Sequence, residues 1–472
     1  MPSWGLRTEG GASAVRPCPR RGFGPPLVSG QRGLDAAVPV RTLESMKKPI
    51  STEAAEAAVA AHYGLLLGIQ SPWQVKAVDL KLEAKRVEVA LEHDAQAAVG
   101  CPQCGRACAR YDHAPERQWR HLDVMQFLTV IRARVPRCQC PEHGVVTAQV
   151  PWAEPHGRFT LMFEAFAVTV IEAARSFVQA MEILRVDWHT IQEIVRRAVE
   201  RGLLRRSTEQ VVHVGMDEKS FGRGQDYVAV MTDLTGQRVL DVVKDRDTAA
   251  ALQLWEALPE PQRRRVEAVA IDMSAEFAAA ARTAAPQAAI VYDRFHVSKH
   301  LNEAVDKVRR EEHRQLLEKH DESLTGTKYL WLQGEAVTGE RALSFGELCA
   351  RNLKTARAWC HKETFVEFWA QPDVAGARDF FRHWFGAARR SKLEPIKKVA
   401  LTLKDHLLGL LNYFVHPITN AISEGFNSKI QAINSAASAR VKADARGFRR
   451  FENYRYRILF HCGKLDLLPA IQ

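Results

Sequence analysis

Hydrophobic and polar positions change period several times along this chain, and each change predicts an element. Residues 47–67 ("KKPISTEAAEAAVAAHYGLLL") suit a helix opened by Ser51 and Thr52. Steps of two in "WQVKAVDLKLEAKRVEVALEH" (73–93) and "FLTVIRARVP" (127–136) predict strands with one buried face. Residues 161–204 return to a helical period. Three strands follow within 211–245, the second and third joined at the turn sequence "LTGQ". "VEAVAID" (266–272) and "AAIVYD" (288–293) predict two more strands, separated by the helix "AEFAAAARTA". From 300 to 415 the pattern is helical almost throughout. "ITNAISEGFNSKIQAINSA" (418–436) is a further helix, followed by the basic "ARVKADARGFRRFENYRYRILF". Strands alternating with helices place the chain in the α/β class.

Length and charge sharpen this picture. At 472 residues the chain exceeds one core and suits about three domains. No apolar run approaches the roughly 20 residues of a membrane span, so no membrane partner is expected. The opening "MPSWGLRTEGGASAVRPCPRRGFGPPLVSGQRG" lacks the apolar stretch of a secretory signal. It reads as a disordered tail over residues 1–46 or an over-extended start, with globular sequence beginning at Met46. Lys and Arg number 66 against 55 Asp and Glu, a net charge of +11 that suits a polyanion such as nucleic acid.

Of nine cysteines, Cys101, Cys104, Cys108, Cys138 and Cys140 cluster, while Cys18, Cys349, Cys360 and Cys462 are scattered. The cluster reads as metal ligation and not as a disulfide framework. Cys101-Pro-Gln-Cys104-Gly places two thiolates at the spacing of two corners of a tetrahedral zinc site. Cys140-Pro-Glu-His143-Gly repeats that spacing with an imidazole, whereas Cys138-x-Cys140 is too cramped. The expected ligands are Cys101, Cys104, Cys140 and His143 around a structural Zn²⁺, with Cys138 as substitute or neighbour.

"ARSFVQAMEILRVDWHTIQEIVRRAVERGLL" carries one short helix, a break at Arg185-Val186, and a second helix capped by Asp187. Ile191, Ile194, Val195 and Val199 form its buried side, leaving His189, Thr190, Gln192, Glu193, Arg196 and Arg197 outward. Two helices joined so tightly fit a helix-turn-helix or an ordinary hairpin. The neighbouring knuckles and the basic charge favour DNA, with His189, Thr190, Gln192, Arg196 and Arg197 as its contacts.

Three predicted strands run into aspartates: Asp217, Asp272 and Asp293. Open α/β sheets gather their sites at the carboxyl ends of strands, and clustered carboxylates repel unless a cation or proton separates them. Hard oxygen ligands suit Mg²⁺ or Mn²⁺. In "NAISEGFNSKIQ", Glu424 lies on a polar stripe with Asn420, Asn427 and Ser428, and supplies a further acid. Two ions held by such acids perform in-line phosphoryl transfer, while Lys and Arg hold a DNA backbone.

From about residue 60 onward the chain resembles bacterial insertion-sequence transposases of the ISL-three family. The resemblance rests on "CPQCG", "RCQCPEHG", "VGMDEKSFGRGQDYVAVMTDL", "IDMSAEF", "YDRFHVSKHLNEAVDKVRR", "SKLEPIKKVA" and "ITNAISEGFNSKIQA" in that order. It implies an α/β multidomain protein: a small zinc-ribbon-like β module (47–155), a helix-turn-helix (156–208), and a ribonuclease-H-like mixed sheet (209–299 and 416–460) with an all-α insertion (300–415). It further implies a catalytic triad of Asp217, Asp272 and Glu424, with Asp293 as the alternative second acid and His296 beside substrate phosphate. The implied protein is a cytoplasmic, nucleoid-associated enzyme that binds terminal inverted repeats and target DNA as a homodimer or larger. It cleaves and joins strands with two Mg²⁺ or Mn²⁺ ions. A DNA-binding regulator with a non-catalytic core, and a nuclease of the same fold, are the alternatives.

Overall fold

The structure is a computed structural model that describes residues 52–206, 210–220, 227–333, 338–438 and 450–470. The expected tail over residues 1–46 lies outside the described residues. Helix α1 (Thr52–Leu66) leads into β1 (Trp73–Lys81) and β2 (Arg86–His93). With β6 (Arg117–Val124) and β7 (Phe127–Ala133) they form a four-stranded sheet of order β1-β2-β7-β6. The alternation read from the sequence puts Val87, Val89, Leu91, Trp119 and Ile131 on its inner side. Trp152 closes that core, edge-on to both Trp73 and Trp119.

A smaller module hangs from this sheet. It comprises β3 (Val99–Gly100), β4 (Ala107–Cys108), β5 (Arg110–His113), β8 (Pro136–Cys140) and β9 (Gly144–Thr147). Its core is little more than Val99, Cys101, Cys108, Cys138 and Cys140, too few apolar groups to hold a fold alone.

Three helices follow: α2 (Leu161–Ala173), α3 (Phe177–Leu184) and α4 (Trp188–Arg205). Side chains of Thr160, Ser176 and Asp187 cap them by accepting from the amides of Phe163, Gln179 and Thr190. The α3–α4 turn is three residues long and begins with Arg185 in a left-handed conformation, φ 54°.

The central sheet contains β10 (His213–Ser220), β11 (Tyr227–Asp233), β12 (Arg238–Lys244), β13 (Ala268–Ile271) and β14 (Ala289–Tyr292), in the order β12-β11-β10-β13-β14. The first three strands pair antiparallel, and β13 and β14 join parallel to β10. This is a ribonuclease-H-like arrangement. Both faces are covered, so β11 and β12 are buried along nearly their whole length. Ala229, Met231 and Leu240 face a core shared with α5 (Thr248–Glu256), which the short α6 (Glu260–Arg263) follows, and with α7 (Ala275–Ala284) and α8 (Arg294–Leu317). Val228, Val230, Val239 and Val242 face the opposite core, which contains α2, α3, α4 and the last helix, Phe451–Cys462. The three helices α2–α4 therefore form one layer on the central sheet and not a separate bead.

Among the described residues from α8 to Leu411, helices joined by short turns predominate. The buried Glu312 of α8 fastens this segment: its carboxylate accepts from the amides of Lys354 and Thr355, both at 2.7 Å, at the start of the helix Lys354–Val366. The chain then returns to the sheet through the helix Ala421–Ser438 that carries Glu424, here called the glutamate helix.

Candidate active site

Strand β10 alternates its side chains, so Met216 points into one core while Gly215 and Asp217 face the glutamate helix. At Gly215 the helix comes so close that a Cβ would lie 2.6 Å from Asn420 Oδ1 and 2.8 Å from Ser423 Oγ. Gly215→Val is expected to destabilise the fold by about 1–3 kcal/mol, read from the urea midpoint, because those buried groups must be pushed aside. Asn420 Nδ2 donates to Met216 O at 3.1 Å, and Asn427 Nδ2 donates to Asp217 Oδ2 at 2.7 Å. No spacing in the sequence marks Lys219, yet its Nζ donates to Asn427 O and ties the same strand to the same helix.

Asp217 does not end its strand, contrary to the sequence expectation. β10 continues to Ser220 because its antiparallel pairing with β11 persists, whereas its parallel partner β13 stops at Ile271. Asp217 is 7% exposed, and burial pushes its carboxyl up to about 6. Asp272 follows β13 directly; burial raises it too, and Ser274 N donates to its Oδ1 at 3.0 Å. Asp293 follows β14, and both its oxygens are engaged, Oδ1 by Asn420 N at 3.1 Å and Oδ2 by His296 Nδ1 at 3.4 Å. Burial pushes Asp293 up, but His296 and the Asn420 amide outweigh it and hold the carboxyl below its ordinary value. Asp293 in turn raises His296, helped by Asp272 and Asp217. Burial and then Asp293 raise Glu424, whose Oε1 is buried without a hydrogen-bond partner.

Four acids and one imidazole thus share a single electrostatic neighbourhood. The donor set is hard oxygen, and the raised Asp217, Asp272 and Glu424 are carboxylates whose charge lacks compensation, which fits divalent cations. Asp217, Asp272 and Glu424 do not form a set with all ligand atoms within 4.8 Å, as the Cys/His cluster below does. A pair of ions about 3.5–4 Å apart spreads its ligands over two coordination spheres. Proton and cation compete for Asp217, so at subsaturating Mn²⁺ the ion-induced rise in melting midpoint is expected at about pH 8 and absent at about pH 5. A rise that is the same at both would exclude Asp217 as a ligand.

In the small module Cys101, Cys104, Cys140 and His143 bring one ligand atom each within 4.8 Å of all the others. Cys104 Sγ lies 3.7 Å from Cys140 Sγ, and His143 Nδ1 lies 3.5 Å from Cys140 Sγ. Tetrahedral Zn–S bonds of about 2.3 Å require sulfur separations of about 3.8 Å, so the cage is the right size. Gly105 and Gly144, the residues after the two knuckles, have φ of +72° and +67°, which the tight turns demand. Cys138 is excluded from the set: it sits fully buried on β8 as a neighbour, with its thiol directed into the module's core.

Comparison with known proteins agrees with these three parts. A family model described as the zinc-finger of transposase IS204/IS1001/IS1096/IS1165 matches residues 97–143. One described as the helix-turn-helix domain of transposase family ISL3 matches residues 148–199. The ISL3 model described as a transposase matches residues 214–458, more than half of the chain. This chain belongs to the ISL3 transposase family. Its relatives include the transposase for insertion sequence element IS1001 of Bordetella parapertussis, 26% identical over 71% of this chain and 84% of that protein. The transposase for insertion sequence element IS1557 of Mycobacterium tuberculosis (strain CDC 1551 / Oshkosh) is 25% identical over 71% of this chain and 81% of its own length. A transposase of this family binds DNA and cuts it. Among the described residues of this ISL3 transposase, no helix is long and apolar enough to cross a membrane.

Its helix-turn-helix departs from the expected contact set at two positions. Thr190 is buried at 6% exposure, with its amide donating to Asp187 Oδ1 at 2.8 Å, so it belongs to the cap. Arg197 is drawn inward by Glu154 and Glu164, acids 43 and 33 positions earlier that no local pattern could pair with it. His189 is exposed, and Gln192 and Arg196 are half-buried; Arg196 is paired with Glu193 and Glu200. Arg197→Ala is expected to cost about 1–3 kcal/mol of stability, since it strips a partner from the buried Glu164 while Arg201 remains. His189→Ala with Gln192→Ala is expected to change stability by no more than about 0.5 kcal/mol and to weaken DNA binding in a gel-shift titration. In the stripe around Glu424, Ser428 proves exposed and donates to Glu424 O, so it serves the helix and not the site.

Proposed function

We propose that this transposase binds the terminal inverted repeats of an insertion sequence and catalyses strand cleavage and strand transfer at Asp217, Asp272 and Glu424. The observation that carries this reading is that the glutamate helix meets Asp217 through Asn427 and Asp293 through the Asn420 amide, with Asp272 at the end of β13, the strand paired to β10. Asp217, Asp272 and Glu424 would hold two Mg²⁺ or Mn²⁺ ions. Such ions, when bound, activate the attacking oxygen and steady the leaving one in an in-line displacement at phosphorus.

The chain's own groups set the stage. Asn427 orients Asp217, and the Ser274 amide orients Asp272. Asp293 is reserved for His296 and the Asn420 amide, which favours Asp272 as the second ligand. The raised pKa of His296 favours a cation beside the acids, positioned to meet a DNA phosphate. Zn²⁺ on Cys101, Cys104, Cys140 and His143 would build the N-terminal module (47–155). His189, Gln192 and Arg196 on α4 of the 156–208 region would read the element's ends. The core (209–299 and 416–460) would act while the insertion (300–415) supports it. Two ends must meet, which calls for a dimer or larger assembly on DNA, in the bacterial cytoplasm at the nucleoid.

The test is incubation with Mg²⁺ and a DNA segment bounded by the element's inverted repeats. Products in which the element's ends are joined to target DNA are expected. Hydrolysed ends that never join would make the protein a nuclease, and binding without any cleavage would make it a regulator.

A further inference from the structure

Away from the carboxylates, three residues remote in sequence meet at the other end of the central sheet. His213 opens β10, Glu267 precedes β13, and His416 lies on the segment between the helical insertion and the glutamate helix. One ligand atom from each lies within 4.8 Å of the other two. The two imidazoles stand edge to face with centroids 5.9 Å apart.

Backbone contacts fix all three positions. His213 pairs with Ala268 in the parallel ladder, and Glu267 N donates to Val212 O at 2.9 Å. His416 N donates to Asn412 O at 2.8 Å, and Ile418 N donates to His416 O at 2.7 Å. Thr235 Oγ1 lies 3.2 Å from His213 Nδ1. With that nitrogen donating, Nε2 keeps its lone pair, as in imidazoles that bind metals.

We propose that His213, Glu267 and His416 form a second transition-metal site, of Zn²⁺ type, separate from both the zinc module and the acids. Two imidazoles and one carboxylate are a nitrogen-rich set that suits Zn²⁺ and disfavours Mg²⁺, which prefers oxygen. His213 and Asp217 are four positions apart on one extended strand, about 13 Å. An ion here therefore cannot be one of those held by Asp217. Glu267 is exposed and both rings are partly exposed, so the ion enters without unfolding. Its consequence is positional. The site staples the exit of the insertion to two strands of the sheet, eight residues before Glu424, and fixes where the glutamate helix begins.

The test uses the full-length chain in equilibrium dialysis at buffered free Zn²⁺, followed by elemental analysis. Two zinc ions per wild-type chain are expected, and one in Glu267→Gln and in His416→Gln. Circular dichroism verifies that the variants fold, and Glu267→Gln at an exposed side chain keeps the comparison valid if His416→Gln does not. A single ion in the wild type, or an unchanged count in Glu267→Gln, overturns the proposal. Cys140→Ser loaded with Co²⁺ should retain one ion whose spectrum lacks a thiolate charge-transfer band. A thiolate band on that remaining ion would equally overturn it.

Discussion

Asp217→Asn is expected to lower divalent-ion-dependent cleavage of the element's ends by about a thousandfold or more, while end binding changes little. The substitution keeps size and one acceptor oxygen but removes the charge that a hard cation requires. Its effect on stability runs the other way. Burial raises Asp217 to about 6 from an ordinary 3.8, so the folded protein binds that proton more tightly than the unfolded chain does. The stabilisation this group contributes is therefore complete below about pH 3.8 and lost as pH rises through about 6. The loss is on the order of 3 kcal/mol at neutrality without a cation. A neutral amide escapes that loss. The variant should accordingly melt no lower than the wild type at about pH 8 without divalent ions, and should gain nothing from Mn²⁺. A parallel fall in melting midpoint, end binding and cleavage would instead make Asp217 a structural residue.

Removing zinc, by a strong chelator or by Cys104→Ser, is expected to unfold the small module and weaken end binding, leaving the central body folded with α4 in place. Ligation at structural sites of this kind supplies on the order of 10 kcal/mol at neutral pH. The module's core is built from the cysteines themselves, so nothing else replaces that energy. The sheet around Trp119 and the two cores flanking β11 are separate and hold many large apolar side chains. Limited proteolysis checks the division: after chelation, new cuts should fall between residues 97 and 147 and nowhere in the helical insertion. Cuts spread through both regions would mean that the zinc module holds the whole protein together.

Much of this molecule is written in local order. The period of two and the period of 3.6 locate the strands and helices, because each face must be buried or wetted whatever it later meets. The ligand set of the small module is equally local, since two thiolates or a thiolate and an imidazole at that spacing share one turn. The three aspartates at or beside strand ends stand out because a carboxylate is costly where a buried strand finishes. What each polar group would touch was decided only in three dimensions. Arg197 looks like part of a DNA-reading face along the helix, yet Glu154 and Glu164 claim it. Asp293 equals Asp272 in the sequence, but Asn420 and His296 occupy both its oxygens. His213, Glu267 and His416 share no spacing at all and meet through strand pairing and a helical detour. Periodicity reports that a side chain turns inward; its partner comes from another part of the chain, and only the packed backbone brings the two within reach.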